Sequence, residues 1–471
     1  MYILCDWILP LLSRLLIISS FWTYSSRMRL LSIIALASIA VSRPVKDGLP
    51  NFSRLSISSP PDDSNDMMPE LRKSFRTKKT RNPVSTVPSD VRLKDPVQVL
   101  TVDCKIENTQ LCDKAVSATI DAGKRIAKIL HFYKPIQIKV TVDPCTDAMT
   151  RKDSCGFAAL NDARLLLARS NEETEWTRYP TALLKQLHLK KEPKWPEIDM
   201  EITFNERYKF WSKNDGGPIR QDEMDIEHIA AHELTHGLGF VSFMKVEEWQ
   251  GRQLLSPVIT KAPNNSQFYI MSPPSGYDRL LFDPKTGKSL MDIAKPLVGK
   301  EIDLSNVTAL QEALRIGTKL LSISKNRIAI RLSTQNTDAQ FRISRIYPNR
   351  LSNETLSRWE TRPISFVEAA KLQSILQFHK LANAYVGKEF KEGASFCHLE
   401  EAYELTPNFL MSPKVDLNMG LSLDTIIRVN SLDWQINTYG VYGYELAKIM
   451  TDIGWPSVID PTRKKLVPQH F

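Results

Sequence analysis

The first thing missing from this sequence is a membrane span. The apolar run LLSIIALASIAV that follows Met28 and Arg29 is about a dozen residues, against the roughly 20 that a bilayer-crossing helix needs, and an earlier run is broken by Pro10 and Arg14. No stable membrane insertion is expected. A basic stripe is missing too. The net charge of +9 suggests a polyanion partner, but residues 1–95 hold 14 of the 62 basic and 8 of the 53 acidic side chains, which leaves 48 and 45 for everything after them. A surplus of three, with no basic stripe interleaved with aromatics, argues against a nucleic-acid groove. Cysteine is sparse, six in 471 residues, and absent altogether from residues 43–95. The hydrophobic content of 42% is that of an ordinary packed globular protein.

What is present begins with an export pattern. A short basic region, a short apolar run and small residues at Ala40 and Ser42 read as a secretory signal within residues 1–42. Residues 43–95 carry seven prolines, eight serines and a basic run from Arg72 to Arg81, without apolar periodicity, and read as a disordered linker or propeptide. The remaining cysteines agree with an oxidising compartment, because four of them form two pairs close in sequence, Cys104 with Cys112 and Cys145 with Cys155. Cys397 is left over and reads as a small buried hydrophobe. Asn51, Asn264, Asn306 and Asn353 each begin an N-x-S/T sequon, which suits the surface of a secreted glycoprotein.

The chemistry is concentrated in DIEHIAAHELTHGLGF, residues 225–240. His232, Glu233 and His236 stand in the order H-E-x-x-H, and residues four apart share one face of a helix, so two imidazoles reach one metal ion. Zinc suits them, with a further protein ligand and an open position to follow. Glu233 is placed to take a proton from the attacking water rather than to bind the metal. A bare H-E-x-x-H arises by chance on solvated helices, and the flanks decide here: Asp222, Glu223 and Asp225 suit a helix start, Ile226, Ile229 and Ala230 give an apolar stripe, and Gly237 and Gly239 suit a stop. His228, one turn earlier still, reads as a helix residue outside the site, since three histidines spread over eight residues at 1.5 Å each do not meet at one ion.

HELTHGLGF resembles the metzincin pattern H-E-x-x-H-x-x-G-x-x-H, with Gly239 at the sharp turn. The chain departs from that pattern at Ser242, where the third histidine belongs. Near the C-terminal end, GASFCHLEEAYELTPNFLMSP holds His398 and, thirteen residues on, Met411. This resembles the leishmanolysin branch of the metzincins, in which a long insertion precedes the third histidine and a Met-turn follows. The resemblance implies His398 as third ligand and Met411 as the methionine beneath the metal. It also implies an α+β fold in which a twisted sheet and an active-site helix stand above a cleft, over a mostly helical or irregular lower half.

The remaining organisation follows in order. Residues 96–243 form an N-terminal catalytic subdomain, with a helix over residues 113–132, a strand in IQIKVTV, a strand and turn in GFAALNDARLLLA, and a strand at IDMEITFN. Residues 244–390 form the insertion, with strand-like LLFD, a helical SNVTALQEALRIGTKLL and an amphipathic SFVEAAKLQSILQFHKLANAYV that includes a structural His379. Residues 391–471 form a C-terminal subdomain closing with a helix from Tyr444 to Ile453, ended by Gly454. The expected protein is a secreted zinc endopeptidase acting on protein or peptide substrates, with His232, His236 and His398 as ligands and Glu233 as general base. Its rivals are a peptidase whose third ligand is Glu247 or Glu248, a peptidase of another substrate class, and an inactive zinc-binding glycoprotein.

Overall fold

A computed structural model describes residues 92–144, 156–168, 174–186, 193–257, 259–262, 265–298, 301–303, 305–325, 328–332, 342–348, 381–386, 390, 394–415, 418–430 and 440–459. These lie within one compact unit, Glu70–Phe471. The signal region, residues 43–91 of the linker, the Cys145 and Cys155 pair and His379 fall outside the described residues.

The fold is a mixed α and β one, and its first layer is a four-stranded sheet. Val97–Cys104 (β1) leads through the helix Thr109–Ile126 (α1) to Ile136–Asp143 (β2), and β1 and β2 pair in parallel, as a helical crossover requires. Gly156–Leu160 (β3), Asp162–Ala168 (β4), Thr174–Pro180 (β5) and Met200–Asn205 (β6) follow. The sheet order is β1-β2-β6-β3, with β6 parallel to β2 and β3 antiparallel to β6 at the edge. In β2 the fully buried Ile136, Ile138 and Val140 alternate with half-buried Gln137 and Lys139, the period of two that a sheet with one covered face requires. Leu111, Ala115, Ala118, Ala122 and Ile126 form the buried stripe of α1, and the disulfide between Cys104 and Cys112 staples that helix to the end of β1.

Helix α1 starts at Thr109 and stops at Ile126, short of the expected Phe132. The missing turn is claimed by the far end of the chain. His131 N–H donates to the Pro456 carbonyl at 2.8 Å, Val458 N–H donates to the Ile129 carbonyl at 3.0 Å, and the Phe132 ring lies 5.1 Å from that of Trp455.

The helix Ile226–Gly237 (α2) follows, capped by Asp225, whose Oδ1 accepts the Glu227 N–H at 2.8 Å. Asp225 also accepts the Leu423 N–H at 2.7 Å, so one carboxylate starts two helices, α2 and the later Leu423–Asn430. Arg125 bridges the same region, donating to Glu227 at 2.5 Å and to Asp424 at 2.7 Å.

Within the insertion, Met244–Trp249 (β7) and Arg252–Pro257 (β8) form a hairpin turning at Gln250 and Gly251, both with positive φ. Leu281–Phe282 (β9), Ile328–Arg331 (β10) and Leu381–Ala384 form an antiparallel sheet with β10 in the middle, and Val307–Ser324 (α3) is a helix capped by Asn306. LANA, near the end of the amphipathic stretch, is therefore a strand. Arg342–Pro348 (β11) pairs antiparallel with β4, so a strand of the insertion completes a sheet begun before α2.

After Leu381–Ala384 (β12), the last strand of the insertion, the C-terminal end holds Leu423–Asn430 (α4) and Tyr444–Ile453 (α5), the last with the expected bounds and with Gly454 at φ 139 just beyond. Trp455 is fully buried and its indole N–H donates to the Leu238 carbonyl at 2.7 Å, covering the end of α2. No described helix is long and apolar enough to cross a membrane.

Candidate metal centre

Helix α2 stops where its glycines predict, at Gly237. The chain then reverses through Gly239 at φ 113, where an added Cβ would lie 2.9 Å from the Pro180 ring. Only glycine fits such a turn without strain. The reversal brings the Phe240 carbonyl back to the helix, where it accepts from His236 Nδ1 at 2.8 Å.

His232 and His236 project from one face of α2 with their Nε2 atoms 3.0 Å apart. His398 arrives from 162 positions further on and places its Nε2 3.2 Å from that of His232. The ligand atoms of the three lie within 4.8 Å of one another, and no other cluster of this kind occurs among the described residues. Each ring is held from behind. His232 Nδ1 donates to the Leu410 carbonyl at 2.5 Å and His398 Nδ1 to the Ala394 carbonyl at 3.0 Å, as His236 does to Phe240. A carbonyl only accepts, so each Nδ1 carries the proton and each Nε2 presents a lone pair. Three lone pairs thus converge on one point with no proton of their own to share. Burial depresses the basicity of His232 and His236 well below that of an ordinary histidine, and the neighbouring imidazoles add to the effect. Neutral imidazoles are the form that binds a cation, and the arrangement is close enough to hold one.

The stem of Glu233 packs against the start of β3. An added Cβ at Gly156 would stand 3.2 Å from Glu233 Cγ and 3.0 Å from Ile229 Cγ2, so the glycine at the start of β3 leaves the room that the glutamate occupies. His232, Glu233, His236 and His398 all have 0% of their surface exposed.

The other expected residues separate. His228 is outside the cluster, as its spacing indicates, but it is buried rather than solvated: its ring lies 5.3 Å from Phe409, and burial pushes its pKa down to about 3. Met411 is fully buried in the turn Phe409–Met411, next to the Leu410 carbonyl that orients His232, and its own carbonyl accepts the Leu399 N–H at 2.7 Å. Glu247 and Glu248 lie in the β7 hairpin and do not join the histidines.

Ser242 has a role that no local pattern discloses. Its hydroxyl donates to Asp278 Oδ1 at 2.6 Å and accepts the Met244 N–H at 3.2 Å. Asp278 is fully buried and also accepts from Phe243 N–H at 3.1 Å, Ser275 N–H at 3.1 Å and the Ser275 hydroxyl at 2.9 Å. Cys397, buried as expected, sets its Sγ 3.4 Å from the Ser242 N–H. The position where the motif lacks its histidine is therefore a junction between the chain leaving α2, the insertion, and the segment that delivers His398. Tyr442 adds a further tie, its hydroxyl 3.0 Å from Thr235 Oγ1 on α2.

Comparison with known proteins adds a family. A family model described as SPBPB7E8-like matches residues 72–467. An uncharacterized protein of Schizosaccharomyces pombe, PB7E8.01, is 29% identical over 141 residues, covering 28% of this chain and 24% of that relative. The likeness thus spans about a quarter of the relative's length. No solved structure matches this chain.

Proposed function

The chain belongs to the SPBPB7E8-like family, and we propose that it is a secreted zinc-dependent endopeptidase with a metzincin-like catalytic fold, resembling leishmanolysin in its distant third histidine. One observation carries the reading: three Nε2 lone pairs face one point while every Nδ1 proton is committed to a backbone carbonyl. A tetrahedral ion with bonds of about 2.0–2.1 Å needs its nitrogens about 3.3 Å apart. The separations of 3.0 and 3.2 Å fit zinc.

His232, His236 and His398 would hold the ion. Zinc supplies Lewis-acid polarisation of a scissile carbonyl and acidifies water. The chain's own part in the reaction belongs to Glu233. Its carboxylate takes a proton from the attacking water and hands it to the departing amine nitrogen. The carbonyls of Leu410, Phe240 and Ala394 keep the three rings oriented through the cycle, so no reorganisation is needed at the moment of reaction. The Cys104 to Cys112 disulfide and the export pattern of residues 1–42 support the secreted location.

The test is Glu233→Gln in purified, zinc-reconstituted protein. Zinc content by mass spectrometry should match the wild type while cleavage of an unfolded, dye-labelled protein stops. A chelator should stop the wild type and added zinc restore it. Complete burial of the four residues favours a second reading, a zinc-binding glycoprotein without catalysis. Wild type that is folded and zinc-loaded yet cuts nothing between pH 5 and 9 would select it.

A further inference from the structure

We propose that Tyr277 is a positioning residue for the metal centre, coupling the orientation of His236 to that of His398. The inference rests on the three histidines holding zinc and not on peptide cleavage. Tyr277 is fully buried, and it touches Phe240, whose carbonyl supports His236, and the turn that carries His398. On one side its ring centroid lies 4.7 Å from that of Phe240, and it is the Phe240 carbonyl that accepts from His236 Nδ1 at 2.8 Å. On the other, its hydroxyl donates to the Phe396 carbonyl at 2.5 Å, two residues before His398.

The segment at Phe396 needs such a support. Phe396 has φ 68, in the left-handed region that a bulky residue leaves unless its surroundings hold it. That conformation closes the turn in which the Ala394 carbonyl reaches His398 Nδ1 at 3.0 Å. Backbone bonds from Tyr385 hold the turn at its outer rim, Phe396 N–H to the Tyr385 carbonyl and Tyr385 N–H to the His398 carbonyl, both 2.8 Å. The Tyr277 hydroxyl holds it from the side of α2. Tyr277 is itself fixed, because the adjacent Asp278 takes four hydrogen bonds from Ser242, Phe243 and Ser275. A displacement of the His398 turn is therefore transmitted through one rigid phenol to the carbonyl that orients His236. Groups hydrogen-bonded directly to metal ligands contribute about 10–100-fold to metal affinity, and Tyr277 acts one contact further out, through the residues that carry such groups.

Tyr277→Phe keeps the ring and removes the hydroxyl alone. Zinc affinity, measured on the full chain by competition with a chromophoric chelator, should fall by up to about tenfold, and by clearly more than twofold. The visible spectrum of the cobalt-substituted protein should shift as the His398 nitrogen moves. Thr119→Val is the control for a buried hydroxyl lost elsewhere, since Thr119 Oγ1 donates to the Ala115 carbonyl within α1, and it should bind zinc and colour cobalt as the wild type does. Phe240→Leu breaks the ring contact from the other side, should weaken zinc as well, and serves if Tyr277→Phe does not fold. Zinc affinity within about twofold of wild type and an unchanged cobalt spectrum in Tyr277→Phe, or in Phe240→Leu where that replaces it, would overturn the positioning role. Failure of the wild type to bind zinc would overturn the metal reading itself. Zinc-loaded wild type that cuts no protein would sink the peptidase reading and leave the role of Tyr277 standing.

Discussion

Replacing Ser242 by alanine tests how this chain manages without a histidine at that position. Ser242 is 5% exposed, and its hydroxyl is the hydrogen-bond donor to Asp278 Oδ1 and the acceptor for the Met244 N–H. The alanine variant leaves a carboxylate oxygen without the short 2.6 Å donor it has now and a backbone N–H without its hydroxyl acceptor. A hydrogen bond to a charged group contributes about 1.5–3 kcal/mol and a neutral one about 1 kcal/mol, so the expected loss is about 2–4 kcal/mol. That is a large share of the roughly 5–15 kcal/mol by which domains are stable. Urea unfolding followed by tryptophan fluorescence would read it as a lower midpoint at unchanged slope. Adding Asp278→Asn closes a double-mutant cycle, in which a coupling of about 1–2 kcal/mol between the two positions is expected for groups in direct contact. Zinc per folded molecule should stay at the wild-type level, because no ligand is touched. A loss under about 0.5 kcal/mol, or a coupling near zero, would show that the junction carries no load. Loss of zinc without loss of stability would mean that Ser242 belongs to the metal site after all.

Further outcomes follow from the same geometry. His398→Ala should lose zinc and cleavage together, measured by metal content and the labelled-protein assay. Gly156→Ala should press on Glu233 and Ile229 from distances of 3.2 and 3.0 Å and lower kcat about tenfold or more while leaving zinc bound. Gly239→Ala, at φ 113 against Pro180, should cost about 1–3 kcal/mol in chemical unfolding and weaken zinc through the Phe240 carbonyl. Glu445 has its pKa raised to about 7 by burial, opposed by the Tyr403 hydroxyl, and it accepts from Asn408 Nδ2 at 2.9 Å. Because the folded-state value is the higher one, its contribution is fully present below about pH 4.5 and is lost as pH rises through about 7. Glu445→Gln should therefore be more stable than wild type at pH 8 by at most about 3 kcal/mol, with the difference vanishing at pH 4.5.

The parts of this molecule that were legible in its sequence are those whose partners lie within a turn or two. The spacing of His232 and His236, the cap at Asp225, the stop at Gly237, the helix from Tyr444 to Ile453 and the alternation in IQIKVTV are local patterns, and the structure has them where they stand. The disulfide between Cys104 and Cys112 was legible for the same reason. The end of α1 was not, because the residues that pull its last turn open are Pro456 and Val458. LANA carries an apolar pattern that suits a helix, and its strand exists only because Ile328–Arg331 offers an edge. His398 was reachable through a family resemblance and through no spacing rule. The tie between Ser242 and Asp278 had no signal at all, since a serine and an aspartate 36 residues apart announce nothing until the chain folds them together.

Burial of the centre has a kinetic consequence. With His232, Glu233, His236 and His398 at 0% exposure, a zinc ion held as proposed would be reached only when the surrounding wall moves, and such motions run on microsecond to second timescales. Removal of zinc by a chelator should then follow a rate that rises with chelator concentration only until the opening step limits it. Beyond that, small and bulky chelators with equal access to the open form should strip the ion at one common first-order rate. On the proposed peptidase function a peptide would pass through the same opening, and that plateau would also be a ceiling on turnover. It would be measured without any substrate at all.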